Sequence, residues 1–198
     1  MRVPTRTIQF IEPSYIIQAA GPNERALEVA LMQDFLRLYT NIVEVGAVSP
    51  VYFNGIQHPI VDPFDPYEGC IRVDGEKYDY TDKSVLCIST VEHMGRADYG
   101  NTDLDDQKGI RFLNKVLDEA RNYLITWPVA SNKDLDEWVY GSSIPWRLYV
   151  RISGESPVWA LADGTQQEII AQARRLKYND PYPNGNGLIV VDNVIKHN

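Results

Sequence analysis

The run at positions 83–95, KSVLCISTVEHMG, constrains the fold more than any other stretch of the chain. Its first half is an apolar run of the kind that forms a buried strand, and its second half is small and polar and contains the pair Glu92 and His93. In open α/β sheets, ligands bind at the carboxyl ends of the strands. A buried strand that delivers polar side chains to its carboxyl end therefore indicates an α/β sheet with a binding crevice at that edge.

Two segments nearer the N-terminus repeat this pattern of an apolar run that stops at polar residues. Positions 41–46 (NIVEVG) place Glu44 and Gly46 at the end of a short buried strand, and positions 59–62 (PIVD) end at Asp62. Polar residues that follow several parallel strands meet at one edge of the sheet. The sequence therefore predicts a cofactor crevice at the ends of three strands.

Helical spacing marks three segments. Apolar residues recur at intervals of three and four at positions 23–39, 104–120 and 164–176. Asn23 follows a Gly-Pro break and is placed to cap the first of these helices. The second helix is followed at once by the apolar run 122–129, and strand, helix, strand in this order is the unit of a parallel sheet.

The end of the chain has a different pattern. Positions 147–152 alternate between apolar and polar residues, 154–157 (GESP) predict a turn, and 158–162 are short and apolar, which indicates a hairpin. A final strand is predicted at 188–194. We therefore expect a Rossmann-like open twisted α/β sheet, mostly parallel, with an antiparallel strand in its edge region.

The length of the chain, 198 residues, favours a single domain, 1–198. We assign positions 1–40 to an N-terminal arm and helix and positions 41–194 to the core. Positions 1–20 within the arm have no clear period. Loops vary more than the elements they connect, so we expect a pocket for a second substrate on the segments 96–103 and 131–146.

Composition excludes some classes of partner. A net charge of -8 argues against nucleic acid, because that partner requires clustered Lys and Arg. No apolar run approaches the roughly 18 residues of a membrane span, and the N-terminus lacks the apolar core of a signal peptide, so we expect a cytoplasmic protein with no membrane partner. Cys70 and Cys87 predict free thiols. The acids Asp103, Asp105 and Asp106 indicate a helix start, so we expect no metal.

Several motifs, taken together, resemble one known family. They are EVGAV at 44–48, IVD at 60–62, ISTVEHMG at 88–95, TWP at 126–128 with Asn132 and Asp136, and in the tail Arg151, Trp159 and the segment 178–186. This set is similar to the class I S-adenosylmethionine-dependent methyltransferases, and among them to a little-characterised branch whose fourth-strand motif reads close to SISTLEHVG. The resemblance covers positions 41–194.

The resemblance implies both an activity and a strand arrangement. The activity is transfer of a methyl group from S-adenosylmethionine to an oxygen or nitrogen of a small-molecule or sugar-containing acceptor. The arrangement has parallel strands at 41–46, 59–62, 83–89 and 122–127, with the strand at 188–194 antiparallel to them. A parallel last strand would instead favour a dinucleotide-binding fold.

Cofactor binding is assigned to strand-end residues, which are Glu44, Gly46, Asp62, Ser89 and Thr90. The Glu44 carboxylate can attract the positive charge of the cofactor, or it can accept hydrogen bonds from the turn that follows. Gly46 lets the backbone pass close to a ligand, or it ends the strand in a plain turn. Asp62 offers two acceptor oxygens to ribose hydroxyls, or it serves as a turn acid. Asp65 and Asp74 compete for the same contact or for the adenine edge, or they too are turn acids.

Catalysis is assigned to His93 and Glu92. Histidine titrates near neutral pH, so His93 can take the proton of an attacking hydroxyl, while Glu92 orients the turn or the imidazole. In the alternative interpretation, His93 only bonds to the backbone of the turn. His58 is expected to be structural or exposed, and the four tryptophans form either an aromatic wall or part of the core.

Two other functions compete with a methyltransferase. The first is a methyltransferase-like binding or interaction protein without catalysis, because only Gly46 supplies glycine in the turn after the first strand of the core. The second is a nicotinamide-dependent oxidoreductase, which is disfavoured because no GxGxxG motif follows that strand.

Overall fold

A computed structural model describes residues 5–8, 21–100, 102 and 104–193. The protein is α/β, with a mostly parallel sheet that has antiparallel strands at its edge. The chain divides into two compact units. We call the described residues within 32–126 and 191–193 the parallel unit, and those within 5–31 and 127–190 the antiparallel unit.

The helices and strands are named in chain order. They are β1 (Thr5–Ile8), α1 (Glu24–Leu38), β2 (Ile42–Val45), α2 (Ser49–Tyr52), β3 (Ile60–Val61), β4 (Cys70–Ile71), β5 (Ser84–Ile88), α3 (Lys108–Glu119), β6 (Asn122–Pro128), α4 (Lys133–Gly141), β7 (Arg147–Arg151), β8 (Trp159–Ala162), α5 (Gln166–Ala173) and β9 (Gly187–Asp192). Short 3-10 turns occur at Gly75–Lys77, Val91–His93 and Asp98–Gly100.

In the parallel unit the strands follow the order β4-β3-β2-β5-β6, and each neighbouring pair is parallel. All five residues of β5 are buried, as expected of a strand that is covered on both faces. The chain runs outward from β2 to β3 and β4 and then returns to β5 on the other side of β2. The switch point, where such sheets bind ligands, therefore lies between β2 and β5. The predicted parallel strands are confirmed.

In the antiparallel unit the strands follow the order β1-β8-β7-β9, with antiparallel pairs throughout. The predicted hairpin is confirmed, because β7 and β8 pair with Tyr149 opposite Leu161. Positions 1–20 have no periodic pattern, yet Thr5–Ile8 is a strand that pairs with β8. The rest of the expected arm, positions 1–4 and 9–20, lies outside the described residues.

The direction of β9 follows from two hydrogen bonds. The amide of Val129, just after β6, donates to the carbonyl of Gly187 at the start of β9 (2.9 Å). The amide of Tyr123, near the start of β6, donates to Oδ1 of Asn193, just after β9 (3.1 Å). The two strands therefore run in opposite directions, and β9 is also antiparallel to β7. The predicted direction of the last strand is confirmed, whereas its expected place in the edge region is not, because β9 lies between β7 and β6. Position 194 lies outside the described residues.

Two helices depart from expectation. In α1 the predicted cap is present, since the amide of Arg25 donates to Oδ1 of Asn23 (3.2 Å). Leu38, one of the apolar residues whose spacing predicts this helix, is nevertheless 61% exposed at the helix end. The segment 131–146, expected to be a loop, contains α4. Asn132 caps this helix by accepting hydrogen bonds from the amides of the second and third residues that follow it.

A buried carboxylate anchors α4 within the antiparallel unit. Trp127 and Trp159 are fully buried, so these two tryptophans belong to the core. Asp136 Oδ1 accepts a hydrogen bond from Trp127 Nε1 (2.9 Å), and its Oδ2 accepts one from the amide of Ala130 (2.8 Å). Burial raises the pKa of Asp136 to about 6, even though both hydrogen bonds act to lower it. The fold therefore binds a proton at Asp136 more tightly than the unfolded chain does.

We predict that this proton makes stability fall as pH rises. The contribution of this proton to the free energy of unfolding is fully present below the ordinary aspartate pKa of 3.8 and is lost as pH rises through about 6. The loss is about 3 kcal/mol at most. Urea unfolding at pH 4.5 and at pH 7.5 measures this loss. Asp136→Asn should flatten the difference between the two pH values, whereas Asp134→Asn, an exposed acid of the same helix, should leave it unchanged. An equal pH dependence in wild type and Asp136→Asn would contradict the prediction.

Candidate functional site

The predicted site residues lie at the carboxyl ends of the strands in the parallel unit, and we call this place the edge of the parallel unit. Strand β2 ends opposite the end of β3 and one residue before the end of β5, because Val45 pairs with both Val61 and Cys87. The structure therefore brings together the residues that follow these strands. They are Gly46 after β2, Asp62 after β3, and Ser89, Thr90, Glu92 and His93 after β5.

Gly46 and Thr90 fix how closely the ends of β2 and β5 approach each other. Gly46 has a φ of +86°, and a Cβ at this position would lie 2.1 Å from Oγ1 of Thr90. That hydroxyl donates to the carbonyl of Ile88 (3.0 Å). Only glycine fits here, for reasons of backbone conformation and of space. The sequence predicted that a ligand passes close to the backbone of Gly46. In the structure the side chain of Thr90 lies there.

Glu44 is fully buried and holds the turn after β2. Its Oε1 accepts hydrogen bonds from the amides of Val48 (2.9 Å) and Ser49 (2.7 Å). Its Oε2 accepts one from the Ser49 hydroxyl and lies 2.9 Å from Nε2 of His58. These contacts match the turn-holding role considered for Glu44, and a contact with a cofactor stays a prediction. His58 is structural, as expected, since it pairs with this carboxylate.

Asp62 caps the turn that follows β3. Its Oδ1 accepts hydrogen bonds from the amides of Phe64 (2.7 Å) and Asp65 (2.8 Å). Among the contacts of the described residues, Oδ2 accepts none, and the residue is partly exposed. One oxygen of Asp62 therefore builds the loop while the other is available to a hydroxyl donor.

Ser89 lies in a left-handed backbone conformation, with a φ of 39°. Its amide donates to the carbonyl of Thr126 (3.0 Å), which fixes the backbone where the chain leaves β5. A positive φ at a residue other than glycine is uncommon and often marks a functional site. The sequence gives no sign of this conformation.

His93 lies between two carboxylates. Its Nδ1 is 2.8 Å from Oδ2 of Asp98, and its Nε2 is 3.7 Å from Oε1 of Glu92. The imidazole is 34% exposed, whereas Glu92 is 3% exposed. The ring of Tyr99 packs edge-on against the imidazole, with centroids 5.1 Å apart. A half-buried histidine with a carboxylate on one nitrogen is equipped for proton transfer.

Sequence reasoning missed Asp98 and Tyr99. The chain turns back between His93 and Asp98 because Gly95 has a φ of +73° and its carbonyl accepts a hydrogen bond from the amide of Asp105 (2.8 Å). No periodic pattern in the sequence reports such a turn. The glycine in HMGRAD is the one available signal, since glycine often permits a reversal of the chain.

Comparisons of the chain with protein-family models, with curated proteins and with solved structures find no match. Within the described part of the chain, no three or more His, Cys, Asp or Glu side chains are grouped so as to hold a metal ion. None of the described helices has the length and apolar character needed to cross a membrane.

We predict that Gly46→Ala is more destabilising than its backbone conformation alone explains. Gly55 is the matched control, because it has a φ of +71° and a Cβ added there would have no neighbouring atom within 4 Å. Gly55→Ala should cost about 1 kcal/mol of unfolding free energy, the penalty of a left-handed residue with a Cβ. Gly46→Ala should cost a further 1 to 3 kcal/mol, roughly, because it also overlaps Thr90.

Urea unfolding of both variants measures these costs. Adding Thr90→Ala to Gly46→Ala should return most of the extra cost, because it removes the overlapping atoms. If Gly46→Ala and Gly55→Ala lower the free energy of unfolding equally, the contact between Gly46 and Thr90 does not constrain the ends of β2 and β5.

Proposed function

We propose that the protein is an S-adenosylmethionine-dependent methyltransferase that acts on an oxygen or nitrogen of a small-molecule or sugar-containing acceptor. The observation that carries the proposal is the direction of β9, which runs antiparallel to both β6 and β7. The methyltransferase resemblance implies an antiparallel last strand, whereas a parallel one would have favoured a dinucleotide-binding fold. The strands β3, β2, β5 and β6 supply the parallel part that the resemblance implies.

The residues at the strand ends fit a nucleoside-containing cofactor. The available oxygen of Asp62 suits a ribose hydroxyl, as acids at strand ends do in dinucleotide sites. Gly46, Ser89 and Thr90 lie at the switch point between β2 and β5, where their backbone and the Thr90 side chain would border the methionine part. We assign Glu44 the task of holding the turn that presents Gly46.

When bound, S-adenosylmethionine would supply an electrophilic methyl carbon for attack by a lone pair of the acceptor, and the electron pair of the broken carbon–sulfur bond would stay on sulfur. The protein's own task is to align the acceptor and remove its proton. His93 Nε2 takes that proton and later releases it to water. Glu92 Oε1, 3.7 Å from Nε2, stabilises the positive charge that then resides on the imidazole.

One observation favours the non-catalytic alternative. The space above Gly46 is occupied by Thr90, and the nearby carboxylate of Glu44 already has partners in Val48, Ser49 and His58. A protein that keeps the fold and fills the cofactor edge with its own side chains would serve as a binding or interaction module. Cofactor titration separates the two functions.

We predict that S-adenosylmethionine and S-adenosylhomocysteine bind and that NAD does not, as measured by isothermal titration calorimetry. Asp62→Ala should weaken S-adenosylmethionine binding by roughly 1 to 3 kcal/mol, because a charge-assisted hydrogen bond to the ligand is lost. Asp65→Ala is the matched control, since Asp65 caps the next turn of the same loop through the amide of Tyr67 (2.8 Å). It should bind as wild type does.

Three results of this titration are decisive. If neither S-adenosylmethionine nor S-adenosylhomocysteine binds, the proposal of a methyltransferase is wrong, and a non-catalytic binding module is the function that remains. Binding of NAD alone would support the oxidoreductase. Equal affinity of a folded Asp62→Ala variant and wild type would remove Asp62 from the site.

We also predict that His93→Ala keeps the affinity for S-adenosylmethionine and loses turnover by about 100-fold or more, because it removes the base without touching the ribose site. Calorimetry measures the first quantity, and methyl transfer to an acceptor found by screening hydroxyl and amine compounds measures the second. A folded His93→Ala variant that no longer binds S-adenosylmethionine would assign His93 to cofactor positioning instead.

A further inference from the structure

The imidazole of His93 has two nitrogens in different surroundings. Nδ1 is 2.8 Å from Oδ2 of Asp98, which is the distance of a charge-assisted hydrogen bond. Nε2 is 3.7 Å from Oε1 of Glu92, which is beyond hydrogen-bond distance. Only one of the two nitrogens is therefore bound to a carboxylate.

This difference selects a tautomer. A neutral imidazole carries one N–H and one lone pair, and an ionised carboxylate can only accept a hydrogen bond. The close contact with Asp98 therefore places the proton on Nδ1 and leaves the lone pair on Nε2. A lone pair on Nε2 is what a proton acceptor requires.

The contact between Asp98 and His93 is held by the chain around it. The amide of Arg96 donates to the carbonyl of His93 (3.1 Å), and the carbonyl of Gly95 accepts from the amide of Asp105 (2.8 Å), so the segment between the two residues is fixed at both places. The ring of Tyr99 packs edge-on against the imidazole and limits its rotation. Tyr99 has a φ of 53°, a conformation that is uncommon for an aromatic residue.

We infer that Asp98 is the positioning residue of His93: it holds the imidazole as the Nδ1–H tautomer, with Nε2 as the proton acceptor, and stabilises the imidazolium that forms. This inference rests on the proposed function for the identity of the proton donor, which is the hydroxyl or amine of the methyl acceptor. That proton moves to Nε2 and leaves to water, while the Nδ1 proton stays on the imidazole in its hydrogen bond to Asp98. Glu92, which the sequence assigned to orienting the turn or the histidine, lies on the side of Nε2, which is the reacting side of the ring.

The test is the tautomer of His93, read from the nitrogen shifts of protein labelled with 15N-histidine at pH 8. The chain contains three histidines, and the His93→Gln spectrum identifies the His93 signals. We expect a protonated Nδ1 and an unprotonated Nε2 in wild type. Asp98→Ala should move the proton toward Nε2, and Asp98→Glu should restore the wild-type pattern. Asp79→Ala, which removes an exposed turn acid of the same unit, should change nothing.

Two results would overturn the inference: an Nε2–H tautomer in wild type, or a His93 spectrum that Asp98→Ala leaves unchanged. The wild-type spectrum alone is decisive if a variant does not fold. The measurement needs neither cofactor nor acceptor, so its failure is distinct from a failure of the proposed function, which is read from S-adenosylmethionine titration. Asp98→Ala should bind S-adenosylmethionine with wild-type affinity, because the residue acts on the histidine and not on the cofactor.

Discussion

The hydrogen bonds of the buried Glu44 carboxylate are the interactions on which the turn after β2 depends. A charged group without solvent contact is tolerated only when its oxygens are hydrogen-bonded or paired, and here two amides, one hydroxyl and the imidazole of His58 meet that need. These bonds set the path of the chain as it leaves β2. That path gives Gly46 its left-handed conformation, and the conformation makes room for Thr90. The turn that ends β2, and with it the place of Gly46 beside Thr90, therefore depends on one side chain in the strand itself.

Acidic side chains at the edge of the parallel unit differ in task because they differ in surroundings. Glu44 is enclosed and serves the backbone, whereas Asp62 divides its two oxygens between the loop and the open side. Asp98 is exposed and acts on a neighbouring ring instead of on the backbone. The same carboxylate chemistry thus holds a turn at Glu44, caps a loop at Asp62 and pairs with an imidazole at Asp98, and the surroundings of each group decide which contacts it makes. Residue type alone does not separate these roles.

Most of the sheet could be predicted because its strands bury continuous apolar runs. The pattern at β5 ends where the strand ends, and the hairpin of β7 and β8 has clear alternation. Strand β4, with two residues, is too short to produce a pattern, and α4 was missed because its nine residues stand in a segment rich in polar and turn-forming residues. The pairing of Glu44 with His58 and the contact of His93 with Asp98 both depend on chain reversals. Local periodicity carries no information about contacts across such turns.

The pairing of β2 with β5 has a consequence for the order of events in folding. Ile42 pairs with Ser84, so the chain must close a long loop before these strands meet, whereas β7 and β8 can pair locally. Gly46 and Thr90 touch only after that closure. In a partly folded chain where only β7 and β8 have paired, the carboxyl ends of β2 and β5 are still apart, and Glu44 and Asp62 do not yet share an edge with Thr90. The cofactor that we propose would therefore bind only the fully paired sheet, and its binding would stabilise the native state as a whole.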